Sequence, residues 1–371
     1  MDFQKEFPLN DEILYLNHAA VAPWPLRTKL AVHKFATQNA AVGSKHYLGW
    51  LETEQNLRNK LATLVDANHS DEIALLKSTS EGLSTIAYGL DWHSGDEIII
   101  SNEEFPSNRI VWESLANQGV KVIEVDLQGD HTVNIENAIT ERTRLLAISS
   151  VQYASGRVID LKRLGEICAQ KKVLFCIDAI QSLGVMPFSA QTYNADFVVA
   201  DGHKWMLGPE GLAVFYCKKA MQDQLRLNQF GWHMVADAGN FDNKDWTTAN
   251  NAKRFECGSP NMLGAHALDA SLSLILDLGV DHIFELTQKL HNYLREQLVA
   301  AGFEILSPPD EFCGITTFKT NAKDHKELYQ QLMAENVICA PRGGGIRFSP
   351  NFYQDKQVID KAITTIKSLL K

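Results

Sequence analysis

Ala200-Asp201-Gly202-His203-Lys204-Trp205-Met206-Leu207-Gly208-Pro209 follows directly on the apolar run Phe197-Val198-Val199-Ala200. The run reads as a buried strand, and the closing Gly-Pro stops regular structure. Lys204 is thereby placed on the turn leaving a strand, the edge at which open α/β sheets hold their ligands. An amine attacks a carbonyl only when neutral, and desolvation pulls a lysine toward that form. Lys204, between His203 and Trp205, is therefore a candidate Schiff-base nucleophile. Taken alone, the same residue is better read as a solvated loop lysine.

The surrounding pattern is regular. Apolar strands are expected at 97–101, 121–125, 145–150, 173–177, 196–200 and 213–217, mostly separated by helix-length segments such as Asn108 to Gln118 and Leu161 to Lys171. This alternation predicts an α/β fold with a mostly parallel sheet flanked by helices. The last two strands are too close for a crossover helix, so one of them is expected to run antiparallel. Upstream, 11–25 reads as a short strand and a small-residue turn, and 26–66 as helix. Beyond 218 the sheet pattern stops. Helices at 262–280, 283–301, 325–335 and 356–370, with strands near 303–306 and 314–319, suggest a smaller α+β C-terminal domain.

Length and composition agree with this reading. The 371 residues suggest two domains at roughly 150 residues each. A net charge of -10 argues against nucleic acid, which needs clustered Lys and Arg. No apolar run approaches the ~20 residues of a membrane span, and the start of the chain does not read as a signal peptide. The six cysteines lack C-x-x-C spacing, so no metal site is read; reduced thiols in a cytoplasmic protein are expected.

Three further pieces bear on chemistry. Ser78-Thr79-Ser80-Glu81 has capping-box spacing and starts a helix. Its N–H groups form an anion site to which Thr79 and Ser80 add hydroxyls, or else simply a capped helix. Asp178 ends the strand 173–177, as a carboxylate for the site edge or as a helix N-cap. Arg347 lies in the glycine-rich segment Arg342-Gly343-Gly344-Gly345-Ile346-Arg347. Pyridoxal 5'-phosphate needs an anion cradle, a carboxylate for its ring nitrogen and a lysine for its aldehyde, while an amino-acid substrate brings a carboxylate that suits a forked guanidinium.

Tyr15-Leu16-Asn17-His18-Ala19-Ala20, Asp178-x-x-Gln181, His203-Lys204 and Arg254-Phe255-Glu256-x-Gly258-Ser259-Pro260-Asn261 together resemble the class V aminotransferase family, which includes cysteine desulfurases, selenocysteine lyases, kynureninase and isopenicillin N epimerase. The resemblance implies the PLP-dependent transferase fold type I. It implies an N-terminal segment 1–16 packing with the small domain, a large domain 17–261 and a small domain 262–371. Lys204 would hold the cofactor and shuttle the α-proton. Asp178 would pair with the ring nitrogen, and Gln181 would face the ring hydroxyl. Thr79, Ser80 and His203 would bind the phosphate, and Ser259 would reach the phosphate of the other subunit of a homodimer with shared active sites. Arg347 would hold the carboxylate of a small amino-acid substrate.

Two departures narrow the subfamily. Phe105 stands where desulfurases carry a histidine over the ring; it can stack but cannot transfer protons, which resembles the epimerase-like branch. No cysteine occupies 342–347, and Cys339 reads as packing, so persulfide-type desulfuration is disfavoured. Asp201 is read as orienting His203. An aminotransferase or a C–S/β-elimination lyase is expected, with an epimerase, a kynureninase-like hydrolase or a catalytically silent binding subunit as alternatives. Trp50, Tyr153 and Trp232 are candidate pocket walls or packing residues.

Overall fold

The computed structural model describes residues 3–309, 311 and 313–371. After the short strand β1 (Leu14–Tyr15) come seven strands of one sheet. They are β2 (Ile73–Leu76), β3 (Glu97–Ser101), β4 (Lys121–Val125), β5 (Thr143–Ser149), β6 (Leu174–Asp178), β7 (Phe197–Asp201) and β8 (Ala213–Cys217). Their order is β2-β8-β7-β6-β5-β3-β4. Only β8 is reversed, running antiparallel to both β7 and β2. A reversed strand needs no crossover helix, which is how the short 201–213 connection is accommodated, as expected.

The strands are apolar because helices cover both faces. Ile98, Ile100, Ala147, Cys176 and Val199 pack toward Leu83, Ile86 and Trp112 on one side. Ile99, Ile148, Phe175, Ile177 and Val198 pack toward Leu57, Leu61, Leu164 and Leu272 on the other. Strand β2 was not expected: Ile73-Ala74-Leu75-Leu76 is too short to show a period of its own. The helix expected over 26–66 is two helices, Leu26–Val42 and Tyr47–Val65, joined by the 3-10 turn Gly43–His46.

The helix Met262–Leu278 was expected to open the small domain. Its buried face, including Ala265, Leu268, Leu272 and Ile275, instead joins the core of the large sheet. The chain then bends by 83° before the helix Val280–Ala300. Packing therefore changes at Gly279, not at residue 262. No single helix among the described residues is long and apolar enough to cross a membrane.

Beyond the bend lie β9 (Glu304–Ile305), β10 (Thr316–Lys319), β11 (Val337–Ile338), β12 (Ala340–Arg342) and β13 (Gly345–Phe348). Strands β12-β13-β10-β9 form an antiparallel sheet. Its core gathers Leu290, Leu294, Phe318, Leu332, Ile346, Phe348 and Ile363. Strand β1 pairs in parallel with β11, and Phe7 stacks on Tyr353 with ring centroids 3.6 Å apart. The start of the chain is thus tied to its C-terminal third; residues 1 and 2 of the expected segment lie outside the described residues.

Gly184 sits beneath the turn that carries Lys204. Its φ is +97°, and a Cβ there would lie 2.4 Å from the carbonyl oxygen of Trp205. Backbone cannot yield as a side-chain tip can. Gly184→Ala is therefore expected to cost about 1–3 kcal/mol, the range for overpacking. A lowered denaturation midpoint with an unchanged slope would show it.

Candidate active site

Parallel strands bring their carboxyl ends to one edge, and the chemistry-bearing residues follow from that. Asp178 ends β6, Asp201 ends β7, and the helix Thr79–Gly89 begins just past β2. The turn after β3 carries Glu104 and Phe105. A cavity of about 330 Å³ opens there, near the lower end of small-molecule pockets, roughly 300–1,000 Å³. Thr79, Ser80, Phe105, Asp178, Gln181, His203, Lys204 and Arg347 all line it, as do Ala19, Ser149, Tyr153, Asp201, Glu210 and Arg342. Of the expected site residues only Ser259 lies elsewhere, in a separate groove with Lys77, Gln229 and Cys257.

The Lys204 turn is fixed from several sides. Ala22 N–H donates to the His203 carbonyl at 2.8 Å, and Leu207 N–H to the Lys204 carbonyl at 3.0 Å. Leu207 has φ +59°, uncommon for a residue with a bulky side chain. Ser271, from the helix Met262–Leu278, donates to its carbonyl at 2.8 Å. Trp205 Nε1 donates to Gln181 Oε1 at 2.9 Å. Lys204 Nζ lies 5.8 Å from the centroid of the Phe105 ring. Burial draws the amine below the ordinary lysine range; Arg347 and Arg342 add to this, while Asp178 and Asp201 oppose it.

Asp178 is 2% exposed, and the one hydrogen bond to its carboxylate among the described residues comes from Ile180 N–H, at 3.0 Å. Turns follow it, so it caps no helix. Burial pushes its proton affinity up; the Ile180 N–H opposes, and the neighbouring Glu104 adds to the rise. Glu104 is itself buried and well supplied: it accepts from Ser101 Oγ at 2.8 Å, Asn108 Nδ2 at 2.9 Å, Gln152 Nε2 at 2.9 Å and Ser149 N–H at 3.0 Å. Such a satisfied buried carboxylate costs little and locks the turn bearing Phe105. Phe105 meets Tyr153 edge-on, centroids 5.1 Å apart.

At the helix start, Ser78 Oγ accepts from Glu81 N–H at 3.2 Å, so the capping reading holds. Glu81 reaches back to Lys77 N–H at 2.7 Å instead of closing the box on Ser78. Thr79 Oγ1 accepts from Asp201 N–H at 3.0 Å, and Ser80 donates to Ser107 at 2.9 Å. Asp201 Oδ1 lies 3.0 Å from His203 Nδ1, a close approach without hydrogen-bond geometry. Gln181 spends one N–H on the Ala19 carbonyl at 3.0 Å, leaving the other.

Arg347 is 2% exposed. Its Nη1 donates to the Tyr153 carbonyl at 2.6 Å and its Nη2 to Asn17 Oδ1 at 3.5 Å, while its Nε is buried without a partner. Among the described residues no carboxylate lies within 4 Å of it. A buried guanidinium without an anion is costly. Burial, with Arg342 nearby, lowers its pKa to about 10. Trp50 and Trp232, also considered as walls, lie outside the cavity; none of the six cysteines lines it either. Cys339 is buried in the C-terminal core, where burial pushes its thiol up to about 12.

These residues fit pyridoxal 5'-phosphate on this structure's own observations. A buried amine, a buried carboxylate short of donors, a buried guanidinium short of an anion and a helix start share one cavity. Together with the fold, they define a pyridoxal-phosphate-dependent enzyme of fold type I. Residues 14–347 match the aminotransferase class-V family, and the chain belongs to that family; its cofactor is pyridoxal 5'-phosphate. A probable cysteine desulfurase of Methanothermobacter thermautotrophicus is 31% identical over 353 residues, covering 92% of this chain and 86% of the relative. The apo structure of a cysteine desulfurase from Thermococcus onnurineus NA1 superposes with a TM-score of 0.90 at 24% identity, covering 99% of this chain and 97% of that one. The cystine C-S lyase C-DES, solved with its product cysteine persulfide, has a TM-score of 0.90 at 20% identity, covering 97% and 98%.

Sequence reading overlooked Glu104 and Gln152, which act on other site residues and carry no motif, and gave Asn17 no role although it stands in the motif that begins at Tyr15. It also assigned nothing to Arg342. The signal for that residue was available: Gly343-Gly344 between two strand-like runs is a hairpin turn, which fixes what stands opposite what.

The two arginines and Asp178 pull Lys204 in opposite directions. In apo-protein titrated with free pyridoxal, Asp178→Asn removes a charge that favours the ammonium, so adduct formation is expected to move to lower pH. Arg347→Gln removes a charge that disfavours it, so adduct formation moves to higher pH. Absorbance against pH reads both shifts.

Proposed function

We propose that this enzyme removes the α-proton of a small amino acid and expels a sulfur substituent from its β-carbon, as a C–S/β-elimination lyase. Transamination is the other outcome open to the same first step. The observation that supports the reading best is the sharing of one cavity by Lys204, Asp178 and Arg347. The desulfurase names of the relatives favour cleavage at sulfur.

When bound, the cofactor supplies an aldehyde that condenses with amines and an electron-poor ring that acidifies the bond to the α-proton. Lys204, drawn toward its neutral form by burial, would anchor the cofactor and accept that proton. Asp178 would pair with the ring nitrogen and keep it protonated. The second N–H of Gln181 would serve the ring hydroxyl. Thr79, Ser80 and His203, with the helix start behind them, would hold the phosphate. Phe105 would stack on the ring and can take no part in proton transfer. Arg347 would grip the substrate carboxylate and so set which bond at Cα is presented to Lys204.

Among the described residues of this chain, no thiol lines the cavity. Sulfur carried on the enzyme would need a thiolate within reach, and Cys339 is shielded in another core. The sulfur therefore leaves as free sulfide: cysteine and water give pyruvate, ammonia and hydrogen sulfide. Ser259, outside its own chain's cavity, is assigned to the phosphate of a second copy in a homodimer. Six free cysteines, five of them buried, support a reducing, cytoplasmic setting.

The purified protein is expected to be yellow, and borohydride to fix the cofactor to Lys204. The same reducible adduct in Lys204→Ala would overturn the lysine assignment. With cysteine, sulfide and pyruvate should appear in equal amounts, and Cys339→Ser should retain that release. Loss of sulfide in Cys339→Ser, with the cofactor still bound, would restore the persulfide route.

A further inference from the structure

Strands β12 and β13 form a hairpin whose turn is Gly343-Gly344, with φ of +55° and +78°. Two consecutive left-handed residues make the two-residue turn that suits a tight hairpin. The register pairs Arg342 with Gly345 and Ala340 with Arg347. Directly opposed residues share a face, and so do residues two apart on one strand. Arg342 and Arg347 are therefore diagonal neighbours on one face of the hairpin, about 7–8 Å apart along the diagonal. That face lies against the segment after β5: Thr317, paired with Arg347 from β10, donates to the Ala154 carbonyl at 2.6 Å.

Two guanidinium groups thus line one cavity, and only one is needed for a substrate's α-carboxylate. Among the described residues, the guanidinium of Arg342 is bonded only to the carbonyl of the adjacent Pro341, at 3.1 Å. Among the described residues no carboxylate lies within 4 Å of it. The acids in the cavity are otherwise placed: Asp201 lies against His203, and Asp178 is buried at the end of β6. Glu210, exposed at the rim, is within 4 Å of neither arginine. Two like charges side by side without an intervening anion repel unless a ligand supplies one.

We infer that Arg342 recognises an anionic group at the end of the substrate's side chain, so the enzyme selects small amino acids with an acidic β-substituent over their neutral counterparts. The inference rests on the proposed reading of the cavity as an amino-acid site and narrows its substrate class. Arg347 takes the α-carboxylate deep in the cavity. Arg342, solvated at the rim and on the same hairpin face, meets the far end of a short side chain. The turn admits no slack between them, so the spacing selects side-chain length as well as charge.

The holoenzyme is titrated with L-aspartate, L-asparagine, L-glutamate and L-glutamine, reading the cofactor's absorbance. At least one acid is expected to bind tenfold or more tightly than its amide, with the preference shrinking as salt is raised. In Arg342→Ala, at equal cofactor content, the acid-to-amide ratio should fall toward one, and Arg342→Lys should restore part of it. Equal binding of acids and amides by the parent protein, or a preference that survives Arg342→Ala, overturns the inference alone. Spectral silence toward all four, and toward cysteine and alanine, overturns the amino-acid reading and the inference together.

Discussion

A primary amine and a carboxylic acid share one cleft that removes much of their solvent, and that constraint governs much of the structure. Water would solvate Lys204 as an ammonium and Asp178 as a carboxylate. Burial works against both charges, moving the amine down and the acid up. Such a site must be held rigidly, because a charge with no partner relaxes by drawing water in. The Lys204 turn is accordingly pinned by hydrogen bonds to Ala22, Gln181 and Ser271, from three distant parts of the chain. Near Asp178, Glu104 gathers donors from four residues and fixes the neighbouring turn. Neither arrangement touches the reacting atoms, yet both decide where those atoms can be.

A second buried network lies away from the cavity and ties the large domain's layers together. Arg58 bonds Glu54 at 2.6 Å and Glu256 at 2.5 Å, and Glu256 also accepts from Leu75 N–H of β2 at 2.9 Å. Removing one member of such a set typically costs about 3–5 kcal/mol, because the rest is left charged and unpaired. Glu256 belongs to the Arg-Phe-Glu run that leads to Ser259. The network therefore fixes where that segment leaves the sheet. It links an element remote in sequence to the surface on which Ser259 stands.

The family relationship and the residue-level departures answer different questions. The family settles the cofactor and the fold. The chain's own residues bear on the outcome: a phenylalanine at 105 on the cavity wall, a shielded Cys339 and a compact two-arginine hairpin at 342–347. On the proposed reading they bear on who returns a proton, what receives sulfur and which side chain enters.

The sequence alone was enough for the strand–helix alternation, the reversed strand, the cofactor and the set of cavity residues around Lys204. Those features rest on local information: apolar runs, turn residues and motifs whose spacing is set by strand and helix geometry. It misjudged what depends on packing between distant segments. Met262–Leu278 reads as one more helix wherever it belongs; only its contacts with Leu57 and Leu61's layer place it with the large domain. Glu104 looks like any polar residue until folding buries it among its donors. Arg342 and Arg347 are five positions apart in the chain, and only the closed hairpin turns that spacing into a shared face. Local propensity acts within a few residues, whereas burial and charge pairing act between whatever the fold brings together.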